Sequence, residues 1–98
     1  MLYTIYAEST PNPTTMKFVA NKKLVNQSIE AKNPEEAKKI NIAKKLFMFP
    51  FVENVFLSNN FISITKNRSA EWEDIAMQLR EFILDFINNN KIEFLETQ

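Results

Sequence analysis

Residues 52–66 read VENVFLSNNFISITK, and their alternating apolar and polar side chains predict a β-hairpin. Asn59 and Asn60 occupy the two-residue turn, where asparagine is the best substitute for glycine at positive φ. The predicted register pairs Ser58 with Phe61, Leu57 with Ile62, Phe56 with Ser63, and Val55 with Ile64. This register places the four large aliphatic side chains on one face. The hairpin therefore has an apolar face that requires a covering layer.

Two further strands are predicted ahead of this hairpin. Residues 2–8 and 15–20 alternate and are rich in residues that favour strands, so we expect an antiparallel pair across the connection between them. Residues 21–33 are polar and irregular apart from a few aliphatic side chains. We predict a loop there, with room for some extended pairing.

Two segments have the capping residues and the spacing of amphipathic helices. Asn33 is a predicted N-cap ahead of Pro34, and apolar residues continue at helical spacing until Pro50 ends the helix. Asn41 is an alternative N-cap for a second, separate helical piece. Ser69 is the predicted N-cap of the last helix. The apolar stripe of that helix consists of Trp72, Ile75, Leu79, Phe82, Ile83 and Phe86.

The predicted order of elements is β-β-α-β-β-α, which indicates the α+β class. We predict a two-layer sandwich, with a mainly antiparallel four-stranded sheet and two helices on one face. The chain has 98 residues, enough for one domain with a single core. We place this domain at residues 1–90 and interpret residues 91–98 as a tail or the start of a linker. The order of the strands does not follow from the pattern.

The composition excludes several kinds of chemistry. The chain has no cysteine, histidine or glycine. It therefore has no thiolate or imidazole ligand for zinc or iron-sulfur clusters and no glycine-rich phosphate loop. Basic and acidic residues balance at 12 each, which argues against nucleic acid as a partner. The charge is unevenly distributed, however, because residues 1–50 carry 8 − 4 = +4 and residues 51–98 carry 4 − 8 = −4.

The remaining ionisable residues do not form a recognisable catalytic group. Glu71, Glu73 and Asp74 stand where a helix begins, and carboxylates are common there because they face the positive end of the helix dipole. Lys44 and Lys45 either contact solvent only or meet an acidic partner surface. No pair of residues meets the requirement for a nucleophile and a base. We predict that the chain is not an enzyme, and we assign no catalytic and no metal-binding residue.

The segment STPNPTTMKF at residues 9–18 places two prolines around one asparagine. Thr10 and Asn12 each precede a proline, while Pro11 and Pro13 have a fixed φ and no N–H group, so these four residues are held extended. One interpretation is a strand terminator that sets the crossing between the first two strands. The other is a stiff partner-binding ledge, which needs little ordering when it binds. We define the ledge as residues 10–13 and include neighbouring Lys17 in the candidate partner-binding site.

Four segments together resemble the N-terminal domain of Nfu/NifU-like iron-sulfur cluster scaffold proteins. They are TPNP at residues 10–13, MKF at 16–18, AKKLFMFPFVENVFLSNNFISITK at 43–66 and WEDIAMQLREFILDF at 72–86. The residues that match the family pattern are Thr10, Pro11, Asn12, Pro13, Lys17, Phe18, Ala43, Leu46, Phe47, Val52, Val55, Phe56, Phe61, Ile62, Thr65, Lys66 and Trp72. Phe51 and Ser58 stand where the family usually has glycine.

The resemblance implies a non-enzymatic protein-interaction domain of iron-sulfur cluster assembly. In this family the cluster is held by a Cys-x-x-Cys motif in a separate domain, so iron binding is a property of the family and no cofactor is expected on this chain itself. The implied partners are that cluster-bearing domain, client apoproteins, or both. The alternative function is a small regulatory or nucleic-acid-binding α+β module, with Phe56 or Phe61 as stacking residues. The first residues have no signal-peptide pattern, and no run of apolar residues is long enough to span a membrane, so we predict a cytoplasmic location and no membrane partner.

Overall fold

The computed structural model describes residues 2–95, which form one antiparallel sheet and three helices. The strands are β1 (Ile5–Ser9), β2 (Thr15–Ala20), β3 (Ile29–Ala31), β4 (Val52–Ser58) and β5 (Phe61–Lys66). The helices are α1 (Pro34–Ala37), α2 (Asn41–Leu46) and α3 (Trp72–Asn89). The strand order is β1-β2-β5-β4-β3, so the β4–β5 hairpin is inserted between β2 and β3. The predicted α+β class is confirmed.

The predicted hairpin has the predicted register. The cross-strand pairs are Ser58 with Phe61, Leu57 with Ile62, Phe56 with Ser63, and Val55 with Ile64. Asn59 has a φ of 49°, the one positive value at a non-glycine residue among residues 2–95. Asn60 keeps a negative φ, so a single left-handed residue makes this turn. The Asn59 carbonyl also accepts hydrogen bonds from the Leu24 and Val25 N–H groups, at 2.7 and 3.1 Å.

The core lies against one face of the sheet. The buried apolar side chains of that face include Ile5, Phe18, Ala20, Ala31, Val55, Leu57, Ile62 and Ile64. The helices contribute Ala37, Ile42, Ala43, Leu46, Ile75, Leu79, Ile83, Phe86 and Ile87. Side chains that alternate with the buried strand residues are exposed or half-exposed, and we call their side of the sheet the open face. None of the helices within residues 2–95 is long and apolar enough to cross a membrane.

The sheet has five strands, so the predicted number of four is wrong. The additional strand, β3, lies in the segment predicted as a loop and pairs with β4 through Ile29 and Leu57, Glu30 and Phe56, and Ala31 and Val55. Only Ile29 and Ala31 turn toward the core, and Ala31 is fully buried. Two inward side chains give too short an alternation to indicate a strand. Pairing with β4 therefore determines the extended conformation of residues 29–31.

The first predicted helix is two separate helices, so the predicted total of two helices is also wrong. Asn33 caps α1 as predicted, because its side chain accepts a hydrogen bond from the Glu36 N–H group at 2.9 Å. Ile40 is extended, with φ −130° and ψ 123°, and α2 begins at the next residue, Asn41. The alternative of a second helical piece is therefore confirmed, but its N-cap is Ile40 and not Asn41. The break is explained by Phe94, which forms an antiparallel β-bridge with Ile40. Helix α3 begins two residues after the predicted position, with Glu71 rather than Ser69 as its N-cap.

The residues after α3 are bonded to the start of α2. The Asn41 side chain donates to the Lys91 carbonyl at 2.7 Å and accepts from the Glu93 N–H group at 3.0 Å. The Leu95 N–H group donates to the Lys39 carbonyl at 2.7 Å. These hydrogen bonds involve residues 91–95 of the predicted tail, whereas residues 96–98 lie outside the described residues. The domain boundary at residue 90 stays a prediction.

Candidate functional site

The ledge forms the connection between β1 and β2, and the Thr10 side chain stabilises it through hydrogen bonds within the segment. The Thr10 hydroxyl lies 2.9 Å from the Asn12 carbonyl oxygen and 3.0 Å from the Thr15 carbonyl oxygen. The Thr10 hydroxyl oxygen also accepts a hydrogen bond from the Asn12 N–H group at 3.2 Å. The Thr15 N–H group in turn donates to the Asn12 carbonyl at 3.0 Å. A single side chain therefore links both ends of the proline segment.

Asn12 provides the turn that returns the chain toward β2. Its Oδ1 accepts from the Thr14 N–H group at 3.0 Å and from the Thr14 hydroxyl at 2.8 Å. This is an Asx turn, in which a short side chain replaces a backbone acceptor. The Nδ2 of the same side chain has no hydrogen-bond partner among residues 2–95 and lies at the exposed surface. Asn12 thus has one structural atom and one atom available to a partner.

Trp72 fixes the ledge to the helical layer. Its indole Nε1–H donates to the Pro13 carbonyl at 3.1 Å, and its ring meets Phe18 edge-on with the ring centroids 6.5 Å apart. The Lys66 N–H group donates to the Thr14 carbonyl at 2.9 Å, which ties the same segment to β5. All peptide bonds of residues 2–95 are trans, including those before Pro11 and Pro13. The ledge is therefore held rigidly, while both proline rings remain exposed.

Lys17 belongs to the open face rather than to the ledge. Its Nζ lies 4.2 Å from the centroid of the Phe61 ring and 3.8 Å from Glu8 Oε2, and Glu8 is its direct neighbour across the sheet. Within residues 2–95, no hydrogen bond or ion pair joins its side chain to residues 10–13. The five predicted site residues are thus neighbours along the chain, but they occupy two adjoining surfaces.

The open face has aromatic surface that the sequence did not identify as part of the site. Phe56 and Phe61 lie on it with their ring centroids 6.1 Å apart, and Lys17 lies over the second ring. Tyr6 is more than half exposed on the same face. The alternation in residues 52–66 already showed which residues point away from the core. The predicted placement of both helices on one face also implied that this side is uncovered, but Phe56 and Phe61 were named only as stacking residues of the alternative function.

The described surface offers groups for binding. Among residues 2–95, no three histidine, cysteine, aspartate or glutamate side chains lie close enough together to hold a metal ion. The chain as a whole has no cysteine and no histidine. The ledge supplies proline rings and an amide, and the open face supplies aromatic rings and one ammonium group. Such groups recognise a protein surface through apolar contact and hydrogen bonds.

Fold and surface together define a small α+β domain that exposes apolar rings and hydrogen-bonding groups, and sequence comparison identifies its family. The profile of the family described as "Scaffold protein Nfu/NifU N terminal" matches residues 5–90. The chain belongs to this family. The resemblance recognised in the four sequence segments is therefore confirmed.

Curated relatives agree with this assignment. The chain is 27% identical over 95 residues to "NifU-like protein 5, mitochondrial" of Arabidopsis thaliana. The aligned residues make up 96% of this chain and 34% of that protein. It is 30% identical over 84 residues to "NFU1 iron-sulfur cluster scaffold homolog, mitochondrial" of Homo sapiens, covering 84% of this chain and 33% of that protein. The chain thus spans about a third of the length of the curated relatives that it matches.

Two solved structures share the fold. The solution structure of a NifU-like protein from Saccharomyces cerevisiae has a TM-score of 0.77 at 24% identity, over 92% of this chain and 82% of that chain. A crystal structure of a Staphylococcus aureus protein has a TM-score of 0.61 at 21% identity, over 82% of this chain and 98% of that chain. At these identities the likeness concerns the fold alone.

The comparison with curated relatives shows that the predicted cytoplasmic location is wrong. The curated relatives from Arabidopsis thaliana and Homo sapiens are mitochondrial proteins by name. The prediction rested on features that the first residues lack, and such an absence does not distinguish one compartment from another.

Proposed function

We propose that this chain is a non-enzymatic protein-interaction domain of iron-sulfur cluster assembly. It positions a client apoprotein, or a separate Cys-x-x-Cys domain that holds the cluster, for transfer. One observation carries the proposal: the chain belongs to a family of scaffold proteins, yet it has no cysteine and no histidine. Because thiolates are the usual ligands of these clusters, the cluster must be held elsewhere. What this chain can contribute is a binding surface.

The partner-binding surface comprises the ledge and Lys17. Thr10 and Asn12 order the segment through their own hydrogen bonds, and Trp72 holds Pro13 in place. A partner therefore meets a surface that loses little conformational entropy on binding. The exposed rings of Pro11 and Pro13 and the Asn12 Nδ2 supply apolar contact and a donor. The Lys17 ammonium extends the surface onto the open face.

The names of the curated relatives indicate the compartment that we propose. The curated relatives that match this chain are mitochondrial by name, and we propose the same compartment for this chain. Its partners in that setting are apoproteins whose own cysteines receive the cluster.

Amide chemical shifts test the proposal. The isotope-labelled domain is titrated with a Cys-x-x-Cys scaffold domain and, separately, with a cluster-accepting apoprotein. We expect saturable shifts in residues 9–18. Shifts that avoid this segment would contradict the assignment of the surface. Stoichiometric iron retained by the purified chain alone would contradict the function itself, because no thiolate is present to hold it.

A further inference from the structure

An aromatic cluster extends from the core to the surface beside the end of α2. Phe49 lies 5.5 Å from Phe51 and 5.5 Å from Phe82, and Phe82 lies 6.3 Å from Phe86, measured between ring centroids. Phe51 and Phe86 are buried, whereas Phe49 and Phe82 are half-buried. The cluster therefore connects the core to solvent through two of its four rings.

A shallow pocket lies over the two half-buried rings. Its volume is about 310 Å³, and Lys45, Met48, Phe49 and Phe82 line it. Met48 is 78% exposed, and with the two aromatic rings it forms a contiguous apolar patch. A shallow pocket of this size has room for one large side chain. Methionine adapts its shape readily, and it is common at surfaces that bind peptides.

The α2 side of this pocket is positively charged. Lys44 and Lys45 are exposed, and neither forms an ion pair with a residue in the described range. On the α3 side, the carboxylates that flank Phe82 already have partners on their own helix. Glu81 is paired with Arg80, whereas Asp85 accepts a hydrogen bond from the neutral Asn89 amide at 3.2 Å and keeps its negative charge. Because Lys44 and Lys45 outnumber this one uncompensated carboxylate, the net charge beside the pocket is positive.

This pocket is distinct from the surface proposed for the scaffold or client partner. Phe82 lies ten residues after Trp72 on α3, which corresponds to about 15 Å along the helix axis. The Lys17 side chain lies on the open face, whereas the aromatic cluster belongs to the helical layer. The two surfaces therefore have no residue in common.

We propose that the Met48 pocket, formed by Lys45, Met48, Phe49 and Phe82, is a second docking site. Its occupant is an acidic protein segment that inserts one large apolar side chain between Met48 and the two rings. Carboxylates of the same segment lie against Lys44 and Lys45. Charge complementarity favours this occupant, because the two exposed ammonium groups attract a segment that carries carboxylates and repel a basic one.

The test uses a short synthetic peptide in which aspartate and glutamate surround one central phenylalanine. The labelled domain is titrated with this peptide, and the amide signals and the Met48 methyl signal are followed. We expect saturable shifts confined to residues 44–49 and to the part of α3 around Phe82. A matched peptide with alanine in place of phenylalanine, and one with lysine in place of the acidic residues, should each bind about tenfold more weakly or not at all.

Two variants and two matched controls locate the site on the protein. Met48→Glu should weaken binding about tenfold, whereas Met77→Glu, which changes another exposed methionine, on α3, should leave it unchanged. The double variant Lys44→Glu/Lys45→Glu should weaken it similarly. Lys23→Glu/Lys32→Glu makes the same charge change at two exposed lysines outside the pocket and should have little effect. The amide spectrum of each variant checks that the fold is retained.

Several results would overturn the proposal. One is the absence of shifts at millimolar peptide, and another is equal binding of the alanine peptide. Shifts at residues 44–49 that depend on protein concentration without peptide would identify a second copy of the chain as the occupant. Tighter binding to phosphatidylserine vesicles than to the peptide, abolished by Met48→Glu, would identify a membrane surface instead.

Discussion

The indole nitrogen of Trp72 donates a hydrogen bond to the carbonyl oxygen of Pro13 across 59 positions of sequence, at a distance of 3.1 Å. This contact joins the first residue of α3 to the connection between β1 and β2. The same ring lies edge-on against Phe18 on the inner face of the sheet. The proline segment is thus positioned by the helical layer as well as by its own strands.

Trp72→Phe should loosen the ledge while leaving the core packed. The aromatic contact with Phe18 is largely kept, but the donor to Pro13 is lost, so we expect the free energy of unfolding to fall by about 1 kcal/mol. Chemical denaturation measures this change, and amide hydrogen exchange should increase at Thr14 and Thr15. Unchanged exchange at these two residues would show that Trp72 does not hold the ledge.

Asn12→Ala should lower the free energy of unfolding by about 1 kcal/mol or more. The substitution leaves the Thr14 N–H group and hydroxyl without the acceptor that Asn12 Oδ1 provides. Asn26→Ala is the control, because Asn26 is an exposed loop asparagine whose side chain forms no hydrogen bond with another described residue. Equal stability of the two variants would mean that Asn12 serves partner binding alone.

Asn59→Val should destabilise the β4–β5 hairpin by about 1 to 2 kcal/mol, because a β-branched residue strongly disfavours the left-handed φ of 49° found there. Asn59→Gly should preserve or slightly increase stability, since glycine adopts that conformation without steric cost. Thermal or urea unfolding distinguishes the two. A valine variant as stable as the glycine variant would contradict the left-handed turn.

Deletion of residues 91–98 should destabilise the domain. The segment contributes the bridge between Phe94 and Ile40 and the two hydrogen bonds to the Asn41 side chain. Asn41→Ala removes the side-chain bonds alone and should cost about 1 kcal/mol or more. Urea unfolding of both variants tests the boundary at residue 90. If neither differs from the intact chain, the segment is a tail or linker as the sequence suggested.

The sequence was most informative where a structural signal was local. The β4–β5 register follows from alternation and two turn asparagines, all within residues 52–66. Strand β3 and the break at Ile40 depend on contacts with Leu57 and Phe94, which are distant in sequence, and neither has a strong local pattern. Such pairings are decided by tertiary packing, and propensity alone does not reveal them.

The candidate site also combines features that the sequence predicts with features that depend on tertiary contacts. The stiffness of residues 10–13 follows from two prolines, and this part was predictable. The link from Trp72 to Pro13 was not, since a tryptophan in an apolar stripe indicates a core residue. The separation of Lys17 from the ledge follows from strand alternation, because its side chain points to the face opposite Phe18.

Calorimetric titration of this chain with a Cys-x-x-Cys scaffold domain tests most directly whether the ledge and Lys17 bind this partner. Lys17→Gln removes one charge from the proposed surface at nearly constant size, and Lys23→Gln removes one from an exposed position outside it. We expect measurable binding to the unmodified chain, about tenfold weaker binding to Lys17→Gln, and unchanged binding to Lys23→Gln. No binding, or equal affinity of all three proteins, would contradict the proposed partner-binding surface.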